Sequence, residues 1–354
     1  MLERGRTRKI GKAVRISILL VFLGMVVMVV VVFRFYGRVF ESNVTLDADH
    51  KIFYIPTGSQ FEDVIYALEQ EGIIDNRKSF HWTAIKKGYE NSIKPGRYKI
   101  RNGLSNNELV NLLRSGNQDP VMVVFNNVRT LDQLAGKVAR YLECDSADFA
   151  EYFAGDDLVS RFGFERANFS SMFIPDTYSF LWTATPEEFT ERMNREYHRF
   201  WDGERDRQAG RMGMTRTEVV TLASIVDEET LFDDENSRVA GLYINRLKKG
   251  IPLQADPTLK YALGDFTVKR ILNEDKAVDS PYNTYRCKGL PPGPISIPSK
   301  AAIEGVLNFE MHNYLYMCAK ADFSGYHAFA RSLAEHNRNA REYQNSLNKN
   351  RIYR

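Results

Sequence analysis

Residues 16–33 read ISILLVFLGMVVMVVVVF, a run without a charged side chain. As an α-helix this run spans about 27 Å, close to the roughly 30 Å hydrocarbon core of a bilayer. Any fold of the chain must either enclose the run or leave it to lipid. A cleaved signal peptide is the competing reading. The run is long for a signal peptide's apolar region, and Arg34, Phe35, Tyr36, Gly37 and Arg38 stand where small residues would mark a cleavage site. The expectation is a single transmembrane helix over 16–33. Arg4, Arg6, Arg8, Lys9, Lys12 and Arg15 precede it, so the positive-inside rule keeps residues 1–15 in the cytoplasm as a basic tail and carries the rest across the membrane.

That tail also decides the sign of the chain. Lys plus Arg total 48 against 45 Asp plus Glu, and residues 1–34 hold seven basic groups and one acid, so the remainder is slightly acidic. No nucleic-acid partner is implied. Cys144, Cys287 and Cys318 show no close spacing, which indicates neither a disulfide framework nor a zinc site and leaves room for one disulfide.

The expected fold class is α+β, with the 354 residues enough for about two ordinary domains. Residues 34–50 read as a polar stalk. His50–Ile55 has the composition of a strand, and Pro56, Thr57 and Gly58 form a turn. Ser59 with Glu62 makes a capping box for a helix carrying Phe61, Val64, Ile65 and Leu68 at helical spacing. A second helix spans Arg77 to Lys87, a strand follows at Arg97–Ile100, and Ser105 with Glu108 opens a helix that stops at Gly116. This module, 51–118, resembles the βααβ arrangement of LysM glycan-binding domains. The strand Val121–Phe125 and the helix from Thr130 repeat its opening pattern, a weak sign of duplication.

Residues 119–354 read as a mainly helical domain. Thr185, Pro186, Glu187 and Glu188 start one helix, Thr215 with Glu218 opens another, and Asp234 is expected to cap a third that runs to Gly250. Asp256, Pro257, Pro281, Gly289, Pro291, Pro292, Gly293, Pro294 and Pro298 then punctuate long loops of the kind that border a binding cleft.

The helix from Thr215 ends in Asp227, Glu228 and Glu229. At about 100° per residue, Glu229 falls on the face that carries Leu222 and Val226, Glu228 on the opposite side and Asp227 on the flank. A carboxyl on an apolar face is desolvated, keeps its proton more readily and suits general acid catalysis. The plainer alternative is an ion pair between Glu229 and Arg238 or Arg246. No G-x-S-x-G, H-E-x-x-H, P-loop or G-x-G-x-x-G is present, and the six histidines are scattered, His327 and His336 among them, which favours structural roles. Trp182, Tyr282 and Tyr285 lie in loop-like contexts where they could stack on sugars.

Six motifs in order, FIPDTY (173–178), LASIVDEET (222–230), YINRL (243–247), LQADPT (253–258), PYNTY (281–285) and GLPPGPI (289–295), together with HAFARSLAEHN (327–337), resemble the YceG-like endolytic murein transglycosylases. The resemblance implies that Glu229, the last acid of its motif, is catalytic. It also implies cleavage of the β-1,4 bond between N-acetylmuramic acid and N-acetylglucosamine to leave 1,6-anhydro ends, without metal or cofactor. Implied partners are peptidoglycan strands and peptidoglycan synthases at the bacterial cytoplasmic membrane. Asp227 stands where the family usually has a glutamate, and Ile297-Pro298 where Asn-Pro is common. Gln254, Asp256, Tyr282 and Asn283 are the candidates for lining the sugar cleft. A lysozyme-like hydrolase using Asp256 as second carboxylate, and a non-catalytic glycan-binding scaffold tethered to the membrane, are the competing readings.

Overall fold

The computed structural model describes residues 3–268 and 270–350; the first two residues of the basic tail, Lys269 and the last four residues lie outside it. The chain divides into two compact units, one comprising Met1–Val121 with Leu181–Thr183, the other Met122–Phe180 with Ala184–Arg354.

The first unit opens with α1 (Glu3–Phe40). Its segment Arg15–Phe40 is long and apolar enough to cross a membrane, and its side chains from Ile16 to Phe33 stand exposed. β1 (His50–Ile55), α2 (Phe61–Gln70), α3 (Arg77–Lys86), β2 (Gly96–Arg101) and α4 (Asn106–Ser115) follow. β1 pairs antiparallel with β2, from His50↔Arg101 to Ile55↔Gly96, closing a strand–helix–helix–strand unit. Side chains alternate along a strand, so Phe53, Ile55, Tyr98 and Ile100 share one face and are buried with Ile65, Leu68, Phe80, Leu109 and Leu113. Full burial of a side chain such as Phe53 contributes about 1.5–3 kcal/mol.

Ser105 and Glu108 cap α4 reciprocally, the Ser105 N–H donating to the Glu108 carboxylate at 2.9 Å. α2 begins one residue later than the expected Ser59–Glu62 box. Ser59 turns its hydroxyl back onto the Pro56 carbonyl, which leaves Gln60 to open the helix with its N–H on Asp63 at 2.8 Å. Residues 34–50, expected as a polar stalk, are helical to Phe40 and then join the module. Asn43 is buried, donating to Asn106 Oδ1 at 2.7 Å and accepting from the Asn76 N–H at 2.8 Å, and Val44 bridges to Ile74. Asn43 thus serves buried hydrogen bonds, while Glu41, Ser42, Thr45, Asp47 and Asp49 around it stay exposed.

β3 (Val121–Phe125) begins at the boundary, and with it the second unit contains α5 (Leu131–Val138), α6 (Ser146–Ala154), α7 (Asp156–Arg161) and β4 (Asp176–Phe180), with β4 paired to β3. This again encloses helices between two paired strands. α8 (Pro186–Phe200) starts at the Thr185–Glu188 box and sends Phe189 into an aromatic cluster with Phe125, Phe149, Phe173 and Phe180. α9 (Gly203–Met212), α10 (Arg216–Glu229), α11 (Asn236–Lys248), α12 (Asp256–Leu263) and α13 (Lys300–Leu307) form the helical body. β5 (Tyr316–Ala319) and β6 (His327–Ala330) make an antiparallel hairpin, and α14 (Leu333–Lys349) follows it.

Three expectations change here. Asp234 does not cap α11: a short 3-10 turn, Asp233–Glu235, leads into that helix, and Asp234 accepts from the Tyr326 hydroxyl. Pro257 stands in the first turn of α12, where its missing N–H costs nothing, so a helix forms where a loop was expected. The segment 293–298 is buried instead of bordering a cleft. Ile295 N–H donates to Ser224 Oγ at 3.0 Å, Ile297 bridges to Val128, and a Cβ at Gly293 would lie 1.8 Å from the Ala167 carbonyl oxygen. The three cysteines are free thiols.

Candidate active site

α10 packs against α9, α11, α12 and α13, and every residue from Val219 to Val226 is buried. The single apolar face inferred from the helical wheel is therefore incomplete: the helix has no polar side along this stretch. The three acids at its end differ because of where the chain places their partners.

Asp227 is turned toward α13. Its carboxylate accepts the Ser299 hydroxyl at 2.6 Å and the Ser299 N–H at 3.1 Å, and Ser299 in turn caps α13. Burial raises its carboxyl above the ordinary range, with the Ser299 bonds opposing. Glu228, expected to be solvated, instead takes a bidentate contact from Arg129, at 3.1 and 2.8 Å. Glu229 pairs with neither Arg238, which binds Glu310, nor Arg246. Its Oε1 accepts a 2.9 Å hydrogen bond from the Tyr243 hydroxyl on α11.

Glu229 opens onto a cavity of about 350 Å³ in the second unit, whose wall includes Tyr243, Arg246, Gln254, Asp256, Tyr285, Tyr316, His327 and His336. Burial raises the Glu229 carboxyl to about 7; the Tyr243 hydrogen bond opposes the shift and the Asp256 charge adds to it. Such a group is available both to give and to take a proton near neutrality.

Arg246 braces the wall. Its guanidinium donates to the Pro252 carbonyl at 2.9 Å, the Leu315 carbonyl at 2.7 Å and Gln254 Oε1 at 2.5 Å. Gln254 sits in the left-handed region, φ 57°, a conformation that non-glycine residues adopt at a cost and that often marks a functional site. Asp256, exposed at the start of α12, accepts the Tyr285 hydroxyl at 2.5 Å. Burial and the Arg246 cation together pull His336 below its ordinary value, and its ring stacks on Tyr316 at 5.5 Å.

Of the residues singled out by sequence, Glu229, Gln254, Asp256 and Tyr285 meet at this cavity. Tyr282 and Asn283 are not among its lining residues. Tyr282 packs on Tyr261 with ring centroids 4.6 Å apart, and Asn283, fully buried, donates to the Lys276 and Val278 carbonyls at 3.0 and 2.8 Å. Asn283 therefore shapes the loop that delivers Tyr285. Trp182 belongs to the first unit, against Tyr54 at 4.9 Å. Sequence reasoning missed Tyr243, Arg246 as a brace, and His327, although all three lie within the motifs YINRL and HAFARSLAEHN.

Residues 53–342 match the model of the YceG-like family. Proteins from two strains of Streptococcus pneumoniae, each named endolytic murein transglycosylase, are 27% identical over 352 residues, covering 88% of this chain and 62% of theirs. The chain thus spans less than two thirds of the length of these relatives. A Bacillus subtilis protein of the same name is 27% identical over 330 residues, covering 88% of this chain and 90% of its own. The crystal structure of a putative yceG-like protein from Listeria monocytogenes superposes with a TM-score of 0.54 at 27% identity, covering 82% of this chain and 98% of that one.

Proposed function

The chain belongs to the YceG-like family, and from that premise we propose that it is an endolytic peptidoglycan lytic transglycosylase with Glu229 as its acid and base. The observation that carries the reading is one carboxyl, raised to about 7, at the wall of an open cavity and oriented by Tyr243. Protonated Glu229 gives its proton to the glycosidic oxygen as the bond from that oxygen to the muramoyl C1 breaks. The resulting carboxylate takes the proton of the muramoyl C6 hydroxyl while that oxygen closes on C1, so the enzyme returns to its starting state and no water is consumed. Tyr243, already donating to one carboxyl oxygen, keeps the other free for this exchange.

Asp256 shares the cavity, which is the observation that favours a hydrolytic second reading. Mass spectrometry of products released from glycan strands by the purified protein separates the two. Transglycosylation gives 1,6-anhydromuramoyl ends; reducing ends carrying oxygen from labelled water mean hydrolysis with Asp256 as the second carboxylate. A protein that binds strands and releases nothing is a scaffold.

The exposed apolar surface of α1 supports a single-pass anchor, with the basic tail in the cytoplasm and the chain beyond α1 outside. In this reading the protein trims or terminates nascent strands beside peptidoglycan synthases, and the strand–helix–helix–strand module adds glycan affinity in the manner of a LysM domain.

A further inference from the structure

Glu235 is a carboxylate the mechanism above does not use. It is 4% exposed, and among the described residues its carboxylate takes hydrogen bonds from two places that matter for the cavity. Thr230, the residue after Glu229 and the C-cap of α10, donates its hydroxyl to Oε2 at 2.9 Å. His327, at the start of β6, donates its backbone N–H to Oε1 at 2.9 Å and brings ring Nδ1 to 2.7 Å from Oε2. Burial alone would push Glu235 up, but the contacts from His327 and Thr230 hold it below the ordinary value. An ionised carboxylate is acceptor-only, so Nδ1 must carry the hydrogen in that contact. The remaining nitrogen, Nε2, belongs to a ring that lines the same cavity as Glu229.

We propose that His327 is a substrate-positioning residue, oriented by Glu235, whose Nε2 hydrogen-bonds a hydroxyl of the bound glycan and sets the sugar against Glu229. This rests on the transglycosylase reading and deepens it, by giving the cavity a second polar anchor. With a hydrogen held on Nδ1 by Glu235, Nε2 is the ring position left to meet a sugar hydroxyl, a group that both donates and accepts. Because one carboxylate joins Thr230 and His327, the anchor and the end of the catalytic helix are tied to each other and keep a common spacing. Loss of one such anchor removes a hydrogen bond and loosens the reacting geometry, together about 10- to 100-fold in kcat/KM.

The test separates the structural bond from the substrate bond on the same ring. His327→Asn places an amide N–H where Nδ1–H was and has nothing at the Nε2 position; His327→Gln restores a polar atom near Nε2. On uncrosslinked glycan strands, with the full-length chain, the inference expects His327→Asn to keep the thermal midpoint and lose about 10- to 100-fold in kcat/KM. His327→Gln should recover part of that loss. Wild-type cleavage matched by equal cleavage from His327→Asn overturns the inference alone. No cleavage by the unmodified protein overturns the functional reading and the inference with it.

Discussion

Replacing Glu229 by Gln should abolish catalysis and stabilise the fold, and both effects follow from the same desolvated carboxyl. Its ordinary value of 4.5 is raised to about 7 by burial. The folded state therefore holds the proton more tightly than the unfolded chain does. The contribution to stability is fully present below about pH 4.5 and is lost as pH rises to about 7, after which it stays constant. The full shift corresponds to ~3 kcal/mol. Glu229 keeps part of its surface open to the cavity, so solvent screening reduces this to about 1–2 kcal/mol. Gln keeps the shape and an acceptor for Tyr243 but cannot ionise, and it escapes the penalty. Thermal unfolding of the two proteins should coincide near pH 4.5 and diverge by about 2–8 °C in favour of Glu229→Gln above pH 7. Strand cleavage by the variant should fall about 100- to 10,000-fold at every pH. Activity of the unmodified enzyme should decline above about pH 7, as the acid loses its proton. A variant less stable than wild type at pH 8, or one active to within tenfold, would refute the assignment.

Glu228→Gln should cost no more than about 1 kcal/mol, because the pair with Arg129 is partly exposed, and should leave strand cleavage within a few fold of wild type. Asp256→Asn should slow turnover without changing the product, read as 1,6-anhydro ends by mass spectrometry; a switch to inactivity with reducing ends in the wild type would mark Asp256 as catalytic. Gly293→Ala should destabilise the second unit by about 3 kcal/mol or more, visible in thermal unfolding, since the added methyl meets the Ala167 backbone and neither can move aside. A reporter fused to the C-terminus should be active only in its exported form, and a soluble protein beginning near residue 35 would sink the anchor.

What could be read from sequence was what neighbours decide. The caps at Ser105–Glu108, Thr185–Glu188 and Thr215–Glu218 are local, three residues apart, and form as expected. The wheel credited one apolar face to a helix enclosed on every side by four others. What singles Glu229 out is Tyr243 on the next helix and a cavity wall drawn from as far as α14. The Glu235–His327 contact joins residues 92 positions apart, and no spacing rule reaches that far. Asn283, a motif residue read as a candidate ligand contact, spends its side-chain amide on its own loop's carbonyls, which a motif alone does not reveal. Asn43 and Val44 looked like linker because their burial is supplied by the Asn76 and Asn106 regions, which the local window does not include.

The enclosure of α10 also bears on how such a protein could change its diet. From Val219 to Val226 the helix touches other elements in every direction, so a substitution there is felt first as a packing defect. The proposed proton-handling residue, Glu229, is thus welded to the segment least tolerant of drift. In the transglycosylase reading, adaptation to a differently decorated wall polymer has freer material at the rim, at Asp256 and in the half-exposed β5–β6 hairpin apart from His327, where a side chain can be exchanged without disturbing the body of the unit. Within that reading a lineage could turn over its choice of strand while the reaction itself stayed fixed.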